Sequence, residues 1–235
     1  MSERVKIILD KNADILRLPA IALRGLVVFP GNIIHFEVGR KKSIAAIEWA
    51  MSNNNAVFLT AQQDMDVEDP GFKDLYAYGV VAEVKQVLRV SDELVKVLVE
   101  GKYRAKLLTL DSSGRFLLAS TKAAALRGTK SVDSARMEAL VRSVKEVFEE
   151  YLSLNPRLSK DVVYTIITNE DAALLCDYIP ANLLLKYTDK QALLNEGTVS
   201  GRLEKLLEIL RQAICNCSFS PFSGVICSQT GIIQQ

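Results

Sequence analysis

Apolar positions alternate with polar ones in the first half of the chain and recur at helical spacing in the second. Between Leu16 and Thr121 the apolar runs are short, rich in Val, Ile, Leu and Tyr, and broken by Gly, Asp, Ser and Asn. The pattern predicts strands at Ile21–Leu23, Leu26–Phe29, Ile33–Val38 and Ala56–Ala61, then at Gly79–Val90, Glu93–Glu100, Tyr103–Asp111 and Phe116–Thr121. Ser91-Asp92, Glu100-Gly101-Lys102 and Asp111-Ser112-Ser113-Gly114 fall between runs and read as hairpin turns. One helix interrupts the strands, with Ser43 as its cap and Ile44, Ile47, Ala50 and Met51 on one face. Short strands in sequential hairpins favour a closed or nearly closed antiparallel barrel.

After Arg127-Gly128-Thr129-Lys130 the period changes. Met137, Leu140, Val141, Val144, Val147, Phe148, Tyr151 and Leu152 recur at helical spacing, and Asn155-Pro156 ends that helix. Ser159 can cap a second helix over Asp161–Thr168. Further helices are predicted at Asp171–Tyr178, Pro180–Lys186, Asp189–Asn195 and Thr198–Gln212, the last striped by Leu203, Leu206, Leu207 and Leu210. From Ala213 charge vanishes and Cys, Ser, Phe and Gly dominate. The expected organisation is therefore α+β. It has an N-terminal tail over 1–13, a β lobe over 14–125, a helical bundle over 126–212, and an atypical segment over 213–235 outside the folded module.

Bulk properties narrow the function classes. At 235 residues, with 49% hydrophobic and 24% charged residues, the chain is long enough for one large domain or two small ones. A net charge of +1 gives no global attraction to nucleic acid or anionic membrane. No apolar run approaches the roughly 18–20 residues that span a bilayer, and the N-terminus lacks the form of a secretory signal. The four cysteines do not form a disulfide framework, so a reduced, cytoplasmic setting is expected.

Candidate chemistry is sparse. His35, the only histidine, lies inside a strand, so a triad or Cys-His pair has nothing else to draw on. Cys215, Cys217 and Cys227 have soft-metal character but no fourth ligand nearby, and Cys176 reads as a small core residue. Gly39-Arg40-Lys41-Lys42-Ser43 lacks the first glycine of a phosphate-binding loop. Asp64, Asp66, Glu68, Asp69 and Asp74 miss the spacing of a calcium loop and read as a solvated surface. No catalytic residue, metal or cofactor is expected.

Several ordered segments carry a resemblance. They are LPAIALRGLVVFPG over Leu18–Gly31, VGRKKS over Val38–Ser43, DLYAYG over Asp74–Gly79 and KVLVEGKYRA over Lys96–Ala105. Together with the RLEKLLEIL helix at Arg202–Leu210, they resemble the N-terminal substrate-binding domain of the Lon ATP-dependent protease family (endopeptidase La) over roughly residues 14–212. The resemblance implies a PUA-like pseudobarrel followed by a helical lobe, with Pro30-Gly31-Asn32 redirecting the chain between strands. It also implies a non-catalytic module, since the family's ATPase and Ser-Lys protease domains have no counterpart here. The pattern departs at Ala213, where more Glu- and Lys-rich helix is expected, as in a truncated, frame-disrupted or split product.

The function so implied is capture of unfolded or damaged polypeptides for an ATP-driven protease, with Pro30, Ile33, Val87 and Leu88 as candidate patch residues beside Lys85 and Arg89. Unfolded chains expose apolar side chains and unpaired backbone, so a receptor needs an apolar patch or an open strand edge. The alternative is an oligomerisation or regulatory module that self-associates or joins full-length Lon, suggested by the leucine stripe at Leu203–Leu210. A stand-alone PUA-like domain for RNA is a third class, and the near-neutral charge argues against it.

Overall fold

The computed structural model describes residues 15–91, 93–127, 134–156 and 158–218. They fall into two compact units, one reaching Ala125 and the other beginning at Leu126.

The first unit is built from β1 (Leu16–Leu23), β2 (Ile33–Val38), α1 (Lys41–Met51), β3 (Ala56–Ala61), β4 (Tyr78–Arg89), β5 (Val95–Asp111) and β6 (Leu117–Ala123). The strands lie in the order β2-β5-β4-β3-β1-β6, and β6 also pairs with β5. That extra pairing closes β5, β4, β3, β1 and β6 into a barrel and leaves β2 outside the ring. The expected closure is present. One pair, β1 with β3, is parallel, as the α1 crossover between them allows. Alternate residues of β1 (Leu16, Leu18, Ala20, Ala22) meet Phe58, Val81, Tyr103, Leu107 and Ala119 in the core. The opposite face of β1 and β3 lies under α1, where Ala46, Ile47 and Ala50 are buried.

β5 is the departure that matters most. The predicted turn at Glu100-Gly101-Lys102 is absent, and one 17-residue strand runs through it. Its first half pairs with β2 and its second half with β6, while β4 lies along the other edge. Gly101 makes this possible, because a Cβ there would sit 2.2 Å from the Phe29 carbonyl oxygen. The chain at 29–32 is fastened to that point: Gly31 N–H donates to the Gly101 carbonyl at 2.8 Å, and Gly101 N–H donates to the Asn32 carbonyl at 2.9 Å.

The same contact explains why Leu26–Phe29 is no strand. Val27, Val28 and Phe29 are buried as an irregular apolar segment that crosses β5 where no side chain stands. Ser43 likewise does not cap α1, which begins at Lys41 with Arg40 in the N-cap position and no side-chain cap bond. Ser43 is buried in the first turn.

The second unit contains α2 (Ser134–Leu154), α3 (Lys160–Thr168), α4 (Ala172–Asn182), α5 (Tyr187–Asn195) and α6 (Val199–Ser218). Ser159 caps α3 as expected, and Asp171 caps α4. Pro180 does not start a helix. It lies in the last turn of α4, where it forgoes the one bond its nitrogen would give the Cys176 carbonyl, and its burial beside Ile179 offsets that loss. α6 continues past Gln212 to Ser218, and Ile214 extends its buried stripe one turn beyond Leu210. The rest of the atypical segment, residues 219–235, lies outside the described residues, as does the N-terminal tail.

Arg202 on α6 is the unit's polar anchor. It is 1% exposed, pairs with Asp177 at 2.5 Å, and donates to the carbonyls of Glu196 and Leu194. Lys190 on α5 has no such partner among the described residues, and burial pulls its ammonium down to about 8.

Two expectations follow from this packing. Gly101→Ala should destabilise the protein by about 1–3 kcal/mol in urea unfolding, whereas Gly114→Ala, whose Cβ would meet only the Phe116 carbonyl at 3.7 Å, should be near neutral. For Lys190 the folded state binds its proton less tightly than the unfolded chain. Stability should therefore rise as pH climbs from about 8 to the unfolded value of 10.5. Lys190→Met should stabilise the protein at pH 7, with the advantage shrinking across that window in pH-dependent melting. A constant difference would show that the lysine is solvated.

Candidate functional site

The β2–β5–β4 ribbon has one face on the core and one toward solvent. On β5, Val95, Val97 and Val99 are buried, while Lys96, Leu98 and Glu100 alternate with them on the outer side. The register places Ile33, His35 and Glu37 of β2 opposite Glu100, Leu98 and Lys96. On β4, Gln86 and Leu88 stand opposite Leu98 and Lys96, after a register shift at Lys85.

Ile33 (61% exposed), the half-buried Leu98 and Leu88 (58% exposed) thus form a diagonal apolar line across three strands of the outer face. Val87 belongs to the other face: it opposes buried Val97 and is itself half-buried. Pro30 is half-buried at the turn that delivers the chain to β2, followed by Gly31 at φ +74°, the residue pattern a type II turn favours. The structure therefore unites Ile33 and Leu88, sets Pro30 at the entry to the same edge, and separates Val87. Leu98 and Val90 (56% exposed) are the apolar residues that sequence reasoning missed. The signal for Val90 was its spacing of two from Leu88. Leu98 became legible only once β5 was known to be one strand.

Backbone groups add to the face. No strand pairs with the second edge of β2 among the described residues. Because Gly101 donates to Asn32, the even-numbered residues of β2 exchange hydrogen bonds with β5. Ile33, His35 and Glu37 direct their N–H and C=O groups off the sheet. An open edge of this kind is a template for one more strand.

The charges on this face neutralise one another. Lys85 and Lys102 each bridge Glu83 and Glu100 at 2.7–2.9 Å. Hydrogen bonds to Glu100 and then Glu83 push the Lys85 ammonium up, and those from Lys85 and Lys102 hold the Glu83 carboxyl below its usual range. All four groups are ionised across the physiological range and sum to zero, so apolar area and open backbone are what the face offers a partner. Arg89 is committed to Glu48 of α1 at 2.6 Å, which also receives Arg115.

The remaining sequence candidates are structural. The Arg40 guanidinium donates to the carbonyls of Ala22 and Val67 and to Gln62 at 2.6 Å, tying α1 to the 62–67 loop. Burial, and then neighbouring Arg24, pull it down to about 10. In the acidic cluster Asp69 pairs with Lys42, and Asp74 accepts from the Gly71 N–H. No group of three metal-ligating side chains occurs among the described residues. Cys176 is buried beside Val199, and burial pushes its thiol up to about 12. Cys215 is exposed, while the Cys217 side chain and Cys227 lie outside the described residues. No described helix is long and apolar enough to cross a membrane.

Comparison with known proteins supplies a family. Residues 17–212 match the ATP-dependent protease La (LON) substrate-binding domain. The Lon protease of Desulforamulus reducens is 37% identical over 203 residues, which cover 86% of this chain and 25% of that protein. The Lon protease of Escherichia coli K12 is 36% identical over 204 residues, covering 87% and 26%. The chain thus spans about a quarter of the length of these curated relatives. Among solved structures, the N-terminal domain of the Mycobacterium avium complex Lon protease superposes with a TM-score of 0.66 at 20% identity, covering 83% of this chain and 98% of that one. The Lon N-terminal domain protein from Xanthomonas campestris does so at 0.57 and 15%, covering 82% and 97%. At those identities the likeness is one of fold.

Proposed function

The chain belongs to the ATP-dependent protease La (LON) substrate-binding domain family, and on that premise we propose that it captures unfolded or damaged polypeptides for ATP-dependent degradation. It performs no catalysis of its own and acts in the cytoplasm, delivering clients to a Lon-type ATPase and protease. The observation that carries this role is the outer face of the β2–β5–β4 ribbon, where exposed Ile33 and Leu88 flank Leu98 beside the open edge of β2. An unfolded chain is the partner that presents both apolar side chains and unpaired backbone. A folded one has already paired its backbone.

The self-neutralised quartet of Glu83, Lys85, Glu100 and Lys102 makes the face tolerant of client charge. Each contact is weak, and several copies acting together would supply avidity. The other role, oligomerisation or regulation of full-length Lon through the α6 leucine stripe, has less support. Leu203, Leu206 and Leu210 are each 0% exposed, consumed by packing within the helical unit.

The intact chain should bind a labelled, permanently unfolded protein saturably by fluorescence anisotropy and ignore its folded form. Ile33→Asp and Leu88→Asp should each weaken that binding about tenfold, the loss of one buried aliphatic contact, without lowering thermal stability. Val87→Asp should lower stability instead. Unaltered binding in both exposed-site variants would place capture elsewhere.

A further inference from the structure

The free edge of β2 implies a rule about which segments of a client it accepts. Ile33, His35 and Glu37 direct their N–H and C=O groups away from β5, and no strand takes them up among the described residues. Neighbours in this set stand about 7 Å apart, the repeat along one side of an extended chain. Side chains select little at two of the three positions. His35 is exposed to solvent, and the Glu37 carboxylate lies 3.9 Å from the Lys96 ammonium, so its charge is already met. Ile33, 61% exposed, is the apolar member of the set.

This edge is poorly matched to itself. The antiparallel self-pairing that engages all three positions sets Ile33 of each copy against Glu37 of the other and His35 against His35. An apolar side chain then meets a carboxylate at both ends, which forfeits the gain of a good cross-strand pair. A client of arbitrary sequence is free to slide until an apolar residue lies beside Ile33. Its side chain then extends the line that runs from Leu88 through Leu98 to Ile33.

We propose that clients dock by adding an antiparallel strand to β2, and that the edge selects segments with an unbroken row of free N–H groups along one side. The inference rests on the capture role proposed above and names the class of segment that role accepts. That class is an extended apolar stretch whose alternate residues, over the span Ile33–Glu37, are not proline. Each client residue opposite Ile33, His35 or Glu37 donates its N–H and accepts at its carbonyl. The residues between them point the other way, where a missing N–H costs nothing. His35 takes part through its backbone, not its imidazole.

The test uses the intact chain and three fluorescein-labelled heptapeptides of one sequence of Leu, Val and Thr, read by anisotropy. The first is unmodified, the second N-methylated at its third and fifth residues, and the last at its fourth and fifth. Methyl groups on alternate residues block one side and leave the other whole, so binding should stay within about threefold of the unmodified peptide. Methyl groups on adjacent residues block both sides. Binding should then fall about tenfold, the scale of one or two backbone bonds lost. His35→Pro should cause a similar loss from the receptor's side, because its ring replaces an N–H that β5 does not use and edge strands accept proline. His35→Ala keeps that N–H and should bind as the natural chain does. The peptide pair decides independently of either variant.

Equal binding of the two methylated peptides overturns strand addition while leaving side-chain capture by Ile33 and Leu88 standing. A loss in His35→Ala as large as that in His35→Pro does the same. Failure of the unfolded protein to bind the intact chain overturns the capture role itself. Sedimentation showing a dimer that His35→Pro dissociates would assign the edge to a second copy. Tighter peptide binding in Phe222→Asp would assign it to the chain's own residues 219–235. Either result overturns the proposal.

Discussion

The β unit depends on the absence of a side chain at one position. β5 serves three neighbours because it runs unbroken for 17 residues, and it does so because Gly101 lets the Phe29 carbonyl approach to where a Cβ would stand. The backbone bonds from Gly31 and Gly101 then fix the entry to β2 and, with it, the parity of every residue on that strand. Close-packed interiors transmit such a constraint without slack. Barrel closure through β6, the outward placement of Ile33 and the open backbone at His35 and Glu37 all descend from that contact.

A face built this way suits a receptor for chains that share no sequence. The apolar diagonal and the open edge recognise what any unfolded polypeptide presents, and the four paired charges are already satisfied. The helical unit is organised differently: Arg202 and Asp177 are paired inside it with further carbonyls satisfied. Removing either partner of a buried pair strands a charge, so that anchor holds the helices rather than binding clients.

Much of the fold was legible in the sequence, because strand alternation and helical spacing are local properties. β2 and β3 follow directly from their apolar patterns, and Ser159 announces α3. The misreadings share a cause. Glu100-Gly101-Lys102 looked like a turn because glycine usually signals one, yet here its small size is used for a tertiary approach. Leu26–Phe29 looked like a strand because burial and strand propensity favour the same residues. Pro180 looked like a boundary until the burial of α4 outweighed it. Of the candidate patch, Ile33 and Leu88 were identifiable from apolar strand positions. Val87 was not separable from Leu88, since a period-two pattern does not say which face is wet, and the shift at Lys85 inverts the count from Val84.

The most direct measurement is residue-resolved hydrogen exchange on the intact chain, with and without a permanently unfolded protein. If a client docks along the open edge of β2, exchange should slow at the amides of Ile33, His35 and Glu37, which point off the sheet, and stay unchanged at Ile34 and Phe36, which already bond to β5. Uniform protection across β2, or protection confined to residues away from the β2–β5–β4 ribbon, would contradict edge docking on this face.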